Sequence, residues 1–495
     1  MIGAAPLEGK KGTPVFFGRK EYLEDLEALW RKRTSSLVAC RGRRRIGKST
    51  LFREFAKRTA DAYLEFEGLP PRDGKPVPDA EQRAAFAAAL ARQTNSPILS
   101  LPNWYDAFFW LDKAIDDSRR TVVLLDEISW MGGDDPNFPG TLRTAWETFF
   151  HRHDKLVVAV CGSVSAWIRK NILGNTGFTG RFSRDFVLSE LPLRDCAAFW
   201  GAAASRIAPR EILDVLAVSG GVPRYIEEID PGIPADENIR RLCFTMGGTL
   251  FGDFDAIFNP LFGPKSEFRR RVLRMLADGP LSGAEIARRL GERRNGHLSE
   301  ALKELGEGGF LSDDQGINPE TGVESRIARY RLRDNYTRFY LKYVEPNKLA
   351  IERGAFRFTS LSSLPGWDAV MGLAFENLVV NNAMELVPFL GIGNATILSA
   401  APFRHARRGR DGSDRGCQID LLVQTPRTAY AVEVKRKARI GREIESEMEE
   451  RLSRLPMRKG VSARPVLVYD GELDPVVEGD GFFDAIVPAS KLLGL

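Results

Sequence analysis

Ser36-Leu37-Val38-Ala39-Cys40-Arg41-Gly42-Arg43-Arg44-Arg45-Ile46-Gly47-Lys48-Ser49-Thr50 is the stretch on which the fold turns. A short apolar run leads into Gly-x-x-x-x-Gly-Lys-Ser, and Leu51-Phe52-Arg53-Glu54-Phe55 continues at helical spacing. Strand, glycine loop and helix form the context that a Walker A phosphate loop requires. Gly42 and Gly47 let the backbone bend so that its N–H groups converge on an anion. The start of the next helix adds partial positive charge there. In this reading Lys48 reaches the β- and γ-phosphates and the Ser49 hydroxyl ligates Mg2+. Arg45 and Thr50 belong to the same nucleotide-binding set. The competing reading is a surface loop that is merely rich in Gly and Arg.

Around that loop lies a chain of 495 residues, too long for one core and suggestive of roughly three domains. Its 43% hydrophobic and 28% charged residues are those of an ordinary soluble globular protein. No apolar run is long enough to span a bilayer and no signal-peptide pattern opens the chain, so a cytoplasmic protein without a membrane partner is expected. Five scattered cysteines show neither metal-ligand spacing nor a disulfide frame, which fits a reducing compartment. The net charge of +5 is modest, but local arginine clusters permit an acidic polymer as partner. His151 and His153 flank Arg152 and read as solvated surface rather than as ligands.

Residues 1–12 read as a loose tail, followed by Phe16-Phe17-Gly18-Arg19-Lys20-Glu21 and a helix over about 22–31. Beyond the phosphate loop, 62–66 reads as a strand, and helices are expected over about 79–93 and 104–117. Thr121-Val122-Val123-Leu124-Leu125-Asp126-Glu127 is an apolar run suited to a strand buried on both faces of a parallel sheet. Two carboxylates at its carboxyl end sit where open α/β sheets hold ligands. At this distance from a Walker A loop it reads as a Walker B: Asp126 binds Mg2+ through water and Glu127 polarises the attacking water. The strand 156–161 ends in Gly162-Ser163-Val164-Ser165. Ser163 is either a γ-phosphate reader (a sensor 1) or part of a plain strand-end turn. Arg181 closes a glycine-rich loop, and is either an arginine finger for a neighbouring subunit of a homo-oligomer or a cap on that loop.

Phe-x-Gly-Arg-x-x-x-Leu, the Arg-rich Walker A, Leu-Leu-Asp-Glu, Gly-Ser-x-x-Ser and Gly220-Gly221-Val222-Pro223-Arg224-Tyr225 occur here in order. That set resembles the archaeal-type P-loop ATPases, on the STAND/AAA+ side of the fold, over about residues 14–262. The resemblance implies a parallel α/β core with a helical lid, ATP rather than GTP, and Pro223 in the lid over the nucleotide. Ile46 and Ser49 stand where Val and Thr are commoner, both conservative departures.

From about Ser266 to Tyr343 three helices are expected, the second capped by Ser282, with 310–311 and 329–332 forming a β-ribbon. Three helices and a ribbon suggest a winged helix-turn-helix. Arg293, Arg294, His297 and Lys303 stand where DNA phosphates would be contacted. The alternative is a domain that packs between its neighbours and touches no nucleic acid.

Past a linker at about 345–365 the pattern is helix, three strands, helix, strand: about 368–386 with Glu376, then 395–398, 418–423, 429–435, 442–455 and 464–469. Thr425-Pro426-Arg427-Thr428 is a turn signal. A turn centred on Pro426-Arg427 puts Asp420 opposite Glu433, with Cβ atoms about 5 Å apart. Glu433 and Lys435 then share one face, Val432 and Val434 the other. Facing carboxylates repel unless a cation sits between them. A divalent metal on Asp420 and Glu433 resolves this, with Lys435 positioning water or steadying phosphate charge; a salt-bridged strand pair is the alternative. Asp…Glu-x-Lys in this αβββαβ order resembles the PD-(D/E)XK nucleases over about 366–495, with Ile419 replacing the leading proline. The resemblance implies that Glu376 joins the site.

The organisation expected is a P-loop core (1–195), helical lid (196–262), winged helix (263–345), linker (346–365) and nuclease-like domain (366–495). Three functions compete: an ATP-controlled, Mg2+-dependent DNA nuclease, an ATP-switched DNA binder with a silent nuclease fold, and a signalling ATPase with a protein partner. Intact Asp420, Glu433 and Lys435 favour the first. The lack of a long repeat array weighs against the third.

Overall fold

The computed structural model describes residues 16–72, 74–163, 165–291, 296–325, 328–405 and 416–495. Its first sheet holds β1 (Ser36–Gly42), β2 (Ala62–Glu67), β3 (Thr121–Asp126), β4 (Leu156–Gly162) and β5 (Phe182–Leu188). All run parallel, in the order β2-β3-β4-β1-β5. Alternate strand residues feed two cores. Val38, Cys40, Val122 and Leu124 meet Leu23, Leu26, Phe52 and Phe55 of the helices Lys20–Leu29 and Lys48–Thr59. Leu37, Ala39, Val123 and Leu125 meet Phe86, Phe108 and Phe138 of helices on the other side. Burial on both faces explains the uninterrupted apolar runs of β3 and β4. β5 lacks such a run because it is an edge strand with a polar, partly exposed pattern.

Helices Pro209–Ser219, Pro223–Ile226, Ala235–Cys243 and Thr249–Phe262 follow, in the segment where a helical lid is expected, hereafter the lid. Three helices, Ser266–Leu276, Gly283–Leu290 and Gly296–Glu307, then pack with a small antiparallel sheet. Its strands are β6 (Leu281–Ser282), β7 (Leu311–Asp313) and β8 (Arg329–Leu332), in the order β6-β8-β7. Ser282 and Glu285 form a reciprocal capping box, fixing the start of the second helix. Residues 345–365 are short helical turns packed on the lid. Phe356 stacks on Phe244 at 4.8 Å, and Arg240 donates to the carbonyls of Phe356 (2.7 Å) and Thr359 (2.6 Å).

The last sheet has β9 (Ser399–His405), β10 (Cys417–Gln424), β11 (Thr428–Ile440), β12 (Ser462–Leu473) and β13 (Ala485–Pro488), in the order β13-β12-β11-β10-β9. β9–β11 are antiparallel neighbours and β11–β13 parallel ones. Helix Trp367–Asn381 covers one face and Glu443–Arg454 the other. The element order is the expected one, but β9 begins where the apolar run 395–398 ends, because pairing with β10 starts at Ser399 opposite Gln424. β13 is an addition to the expected pattern. His153 is a correction: it is buried, with Nε2 2.8 Å from Asp112 Oδ1 and Nδ1 on Asp117, because two carboxylates draw the ring in. Among the described residues no helix is long and apolar enough to cross a membrane.

Candidate functional site

β4 lies between β1 and β3, so their carboxyl ends flank a cleft at the sheet's upper edge. Gly47 takes a left-handed conformation (φ 87°) as it enters the helix. Gly42 (φ 152°) is pressed by β5, since a Cβ there would lie 2.4 Å from the Leu188 carbonyl oxygen. Lys48 Nζ donates to the carbonyls of Gly42 and Arg43, both at 3.1 Å. The Ser49 hydroxyl donates to Asp126, whose other oxygen accepts from the Glu127 amide at 2.9 Å. Burial raises the Asp126 pKa above its ordinary value despite the Ser49 hydrogen bond. A hydroxyl and a carboxylate in contact are the hard oxygen donors that Mg2+ takes.

Glu127 sits in the left-handed region (φ 44°), and its carboxylate accepts from the Ser163 amide (3.1 Å) and hydroxyl (2.9 Å). Ser163, expected to read a phosphate, here holds the Glu127 carboxylate, because β4 runs beside β3 and ends next to it. Arg44, which the motif left without a role, lies 3.9 Å from Glu127 and stacks over Trp130 at 4.6 Å. A cavity of about 610 Å3 joins these groups. Lys48, Ser49, Thr50, Asp126, Glu127 and Arg45 line its polar end, with Pro223 and Arg224 of the lid on one side. Phe16, Phe17, Leu191 and Phe199 supply an apolar wall suited to a flat base. Glu67, at the tip of β2 opposite Asp126, lines the same cavity, and burial and then Asp126 raise its pKa. Phe199 and Glu67 lie in no motif, so nothing in the sequence marks them.

The loop is tied to distant parts of the chain. Arg45 pairs with Asp253 of the lid at 3.0 Å. Arg43 is buried against Asp334 at 2.6 Å, with its guanidinium 5.7 Å from the rings of Tyr225 and Phe310. Asp334 caps the helix Asn335–Phe339, whose Asn335 bonds Asn377 (2.6 Å) and the Ala374 carbonyl (3.0 Å) on the helix that carries Glu376. Removing one partner of a buried ion pair leaves an uncompensated charge. Arg43→Met is therefore expected to cost about 3 kcal/mol of stability, measured by guanidinium unfolding. Adding Asp334→Asn should recover much of the loss, and a double variant no better than the single one would deny the pairing this weight.

In the last sheet the hairpin ladder runs from Gln424 opposite Ala429 to Leu421 opposite Val432, and extending that register by one residue would set Asp420 opposite Glu433. Asp420 Oδ2 accepts from the Val434 amide at 2.9 Å. Lys435 Nζ lies 2.8 Å from Glu433 Oε1 and 3.0 Å from Glu447 Oε2, and Arg451 also pairs with Glu433. The Glu376 carboxyl is pushed up to about 7 by burial and then by Asp420, against the pull of Arg331, Arg338 and Arg451. Burial raises Asp420 as well. Glu376, Asp420, Glu433 and Lys435 thus form one electrostatic cluster from three elements. The positive charge beside Glu433, assigned to a metal from the sequence, comes here from Arg451 and Lys435. Among the described residues no three or more His, Cys, Asp or Glu stand close enough together to hold a metal ion. Arg451 and Glu447 lie outside the motif, although spacing of four on a helix that buries Ile444 and Met448 signals a shared face.

Arg181 stands outside the nucleotide cavity and pairs with Glu147. His297 and Lys303 are exposed on the helix Gly296–Glu307, the His297 ring 4.2 Å from that of Phe268. Arg293 and Arg294 lie outside the described residues.

No protein-family model matches the chain. It is 22% identical over 426 residues to the uncharacterized protein MJECL04 of Methanocaldococcus jannaschii, covering 86% of this chain and 88% of that one. It is 43% identical over 44 residues to the uncharacterized ATP-binding protein MJ0423 of the same organism, covering 9% of this chain and 75% of that one. Among solved structures it is similar to the Walker-type ATPase PABY2304 of Pyrococcus abyssi, with a TM-score of 0.46, 15% identity, and coverage of 66% of this chain and 96% of that one. The Aeropyrum pernix ORC2 protein gives a TM-score of 0.45, 15% identity, and coverage of 70% and 97%. The phosphate loop on its parallel sheet and the match to MJ0423 set the chain in that protein's family, and it belongs to the archaeal-type P-loop ATPases.

Proposed function

We propose that the protein binds and hydrolyses ATP with Mg2+ and uses it to control a Mg2+-dependent DNA nuclease site, working in the cytoplasm as a homo-oligomer. Lys48, Ser49, Asp126 and Glu127 take the nucleotide roles, and Pro223 and Arg45 close over it. In this reading residues 263–345 are a winged helix that meets DNA phosphates through His297 and Lys303, and 366–495 a PD-(D/E)XK domain. The observation that carries it is that Asp420, Glu433 and Lys435 share one hairpin, with Glu376 of the helix Trp367–Asn381 electrostatically linked to Asp420, apart from an intact Walker site. Mg2+ binding would use Asp420 and Glu433, with Glu376 beside Asp420 and Lys435 steadying phosphate charge. The deciding assay offers linear, circular and branched DNA with Mg2+ or Mn2+, with and without ATP. Binding without cleavage under every condition would replace this reading with an ATP-switched DNA binder. The ion pair of Arg451 with Glu433 favours that second reading.

Arg181 is assigned to a neighbouring subunit's nucleotide. Arg181→Ala should then leave nucleotide affinity nearly intact while turnover falls by up to roughly 10³-fold. Mixing it with excess Lys48→Ala subunits should restore part of the activity. No rescue in the mixture would return Arg181 to a loop contact with Glu147.

Glu376 gives a pH signature. Its folded-state pKa is raised from 4.5 to about 7, so its contribution to stability is full below 4.5 and is lost as pH rises through about 7. A bound divalent cation favours the carboxylate, which opposes that shift. Metal binding near neutral pH should therefore release a proton, and cleavage should rise with pH through about 7. Calorimetry in buffers of different ionisation enthalpy reads the proton; binding with none released would uncouple Glu376 from a metal on Asp420.

A further inference from the structure

The helix Pro209–Ser219 leads to the nucleotide cavity at one end and is ion-paired to the last sheet along its side. Its carboxyl end runs through Gly220 and Gly221 into Pro223 and Arg224, which line the nucleotide cavity. Its buried residues Ile212, Leu213 and Leu216 join the core of the lid. Its other side reaches the last sheet. Arg210 and Asp214 are four residues apart and so lie on one face. Asp214 pairs with Arg436 of β11, Arg436 Nε lies 3.3 Å from Asp470 of β12, and Arg210 lies 3.8 Å from the same Asp470.

Arg436 follows Lys435 directly. Successive strand residues project to opposite faces, so the lid grips β11 from the face opposite Glu433 and Lys435. The Arg436 side chain is 10% exposed and that of Asp470 is 9%, while Asp214 is 22% and Arg210 43% exposed, so the β-sheet end of the cluster is the shielded one. A helix of eleven residues is about 16 Å long and moves as one piece.

We propose that the Asp214–Arg436 ion pair couples the nucleotide lid to β11, making Arg436 a positioning residue for Glu433 and Lys435 that acts according to the nucleotide bound. The effect on cleavage rests on the nuclease reading; the mechanical link does not. The test uses full-length protein in a Glu127→Gln background, with ATP as probe. Amide hydrogen exchange across residues 428–440 should change by about threefold or more when ATP is added. Asp214→Asn should remove that response, and Asp214→Glu, which keeps the charge, should retain it. With Glu127 intact, Asp214→Asn should leave ATP turnover unchanged and reduce ATP stimulation of DNA cleavage to about onefold.

Asp214→Asn removes a charge without adding bulk, so a lost response reports the ion pair and not a packing defect. Exchange across 428–440 that ignores ATP in the parent, or that responds equally in Asp214→Asn, overturns the coupling. Should the protein cut no DNA while exchange follows the stated pattern, the coupling stands and the nuclease reading alone falls.

Discussion

Glu127→Gln should bind ATP with near-normal affinity and hydrolyse it slower by roughly 10²–10⁴-fold. The substitution keeps the side chain's size and removes the charge that polarises water. The structure adds a reason for affinity to survive: Ser163 can donate its hydroxyl hydrogen bond to an amide oxygen as well as to a carboxylate oxygen. Lys48→Ala should behave oppositely, losing tight binding, because it deletes the ammonium that now rests on the Gly42 and Arg43 carbonyls at the head of the cavity. Nucleotide affinity and steady-state turnover, measured side by side, separate the two. Normal hydrolysis in both variants would remove the loop and the base from the reaction.

The second large effect lies in the last sheet. Asp420→Ala and Glu433→Ala should each lower Mg2+-dependent DNA cleavage by roughly 10³-fold or more, since a divalent ion contributes several kcal/mol of charge stabilisation. Combining them should lose little further, because residues that act as one unit are non-additive. Lys435→Ala should cut cleavage severely while leaving metal binding measurable. All three should retain ATPase activity, as their side chains lie outside the nucleotide cavity. The ion pairs predict a contrast as well. Glu433→Ala strands Arg451 and leaves Lys435 with Glu447 alone, whereas Asp420→Ala strands no cation that pairs with it directly. Glu433→Ala should therefore be the less stable of the two, and cleavage must be compared at a temperature where both remain folded. Additive losses in the double variant would separate the two carboxylates functionally.

Local chemistry alone specifies much of this protein. The Gly42–Thr50 loop, the Asp126-Glu127 pair, the Ser282 cap and the opposition of Asp420 to Glu433 each follow from a short run of residues whose turn, periodicity or cap acts within a few positions. A turn centred on Pro426-Arg427 fixes the hairpin register by arithmetic, and the ladder has that register. What meets across long chain distances is set by tertiary packing instead. β5 is legible only as the edge neighbour of β1, because an edge strand needs no apolar run. Ser163 reaches Glu127 because β4 lies between the two Walker strands. Arg43 meets Asp334 across 291 positions, and Arg436 meets Asp214 across 222, each pair fixed by the packing of whole helices. Arg451 turns toward Glu433 for the same reason, adding a second cation to a buried carboxylate that Lys435 also pairs. A charge in a sequence names no partner; burial selects one, because only a paired charge can be withdrawn from water.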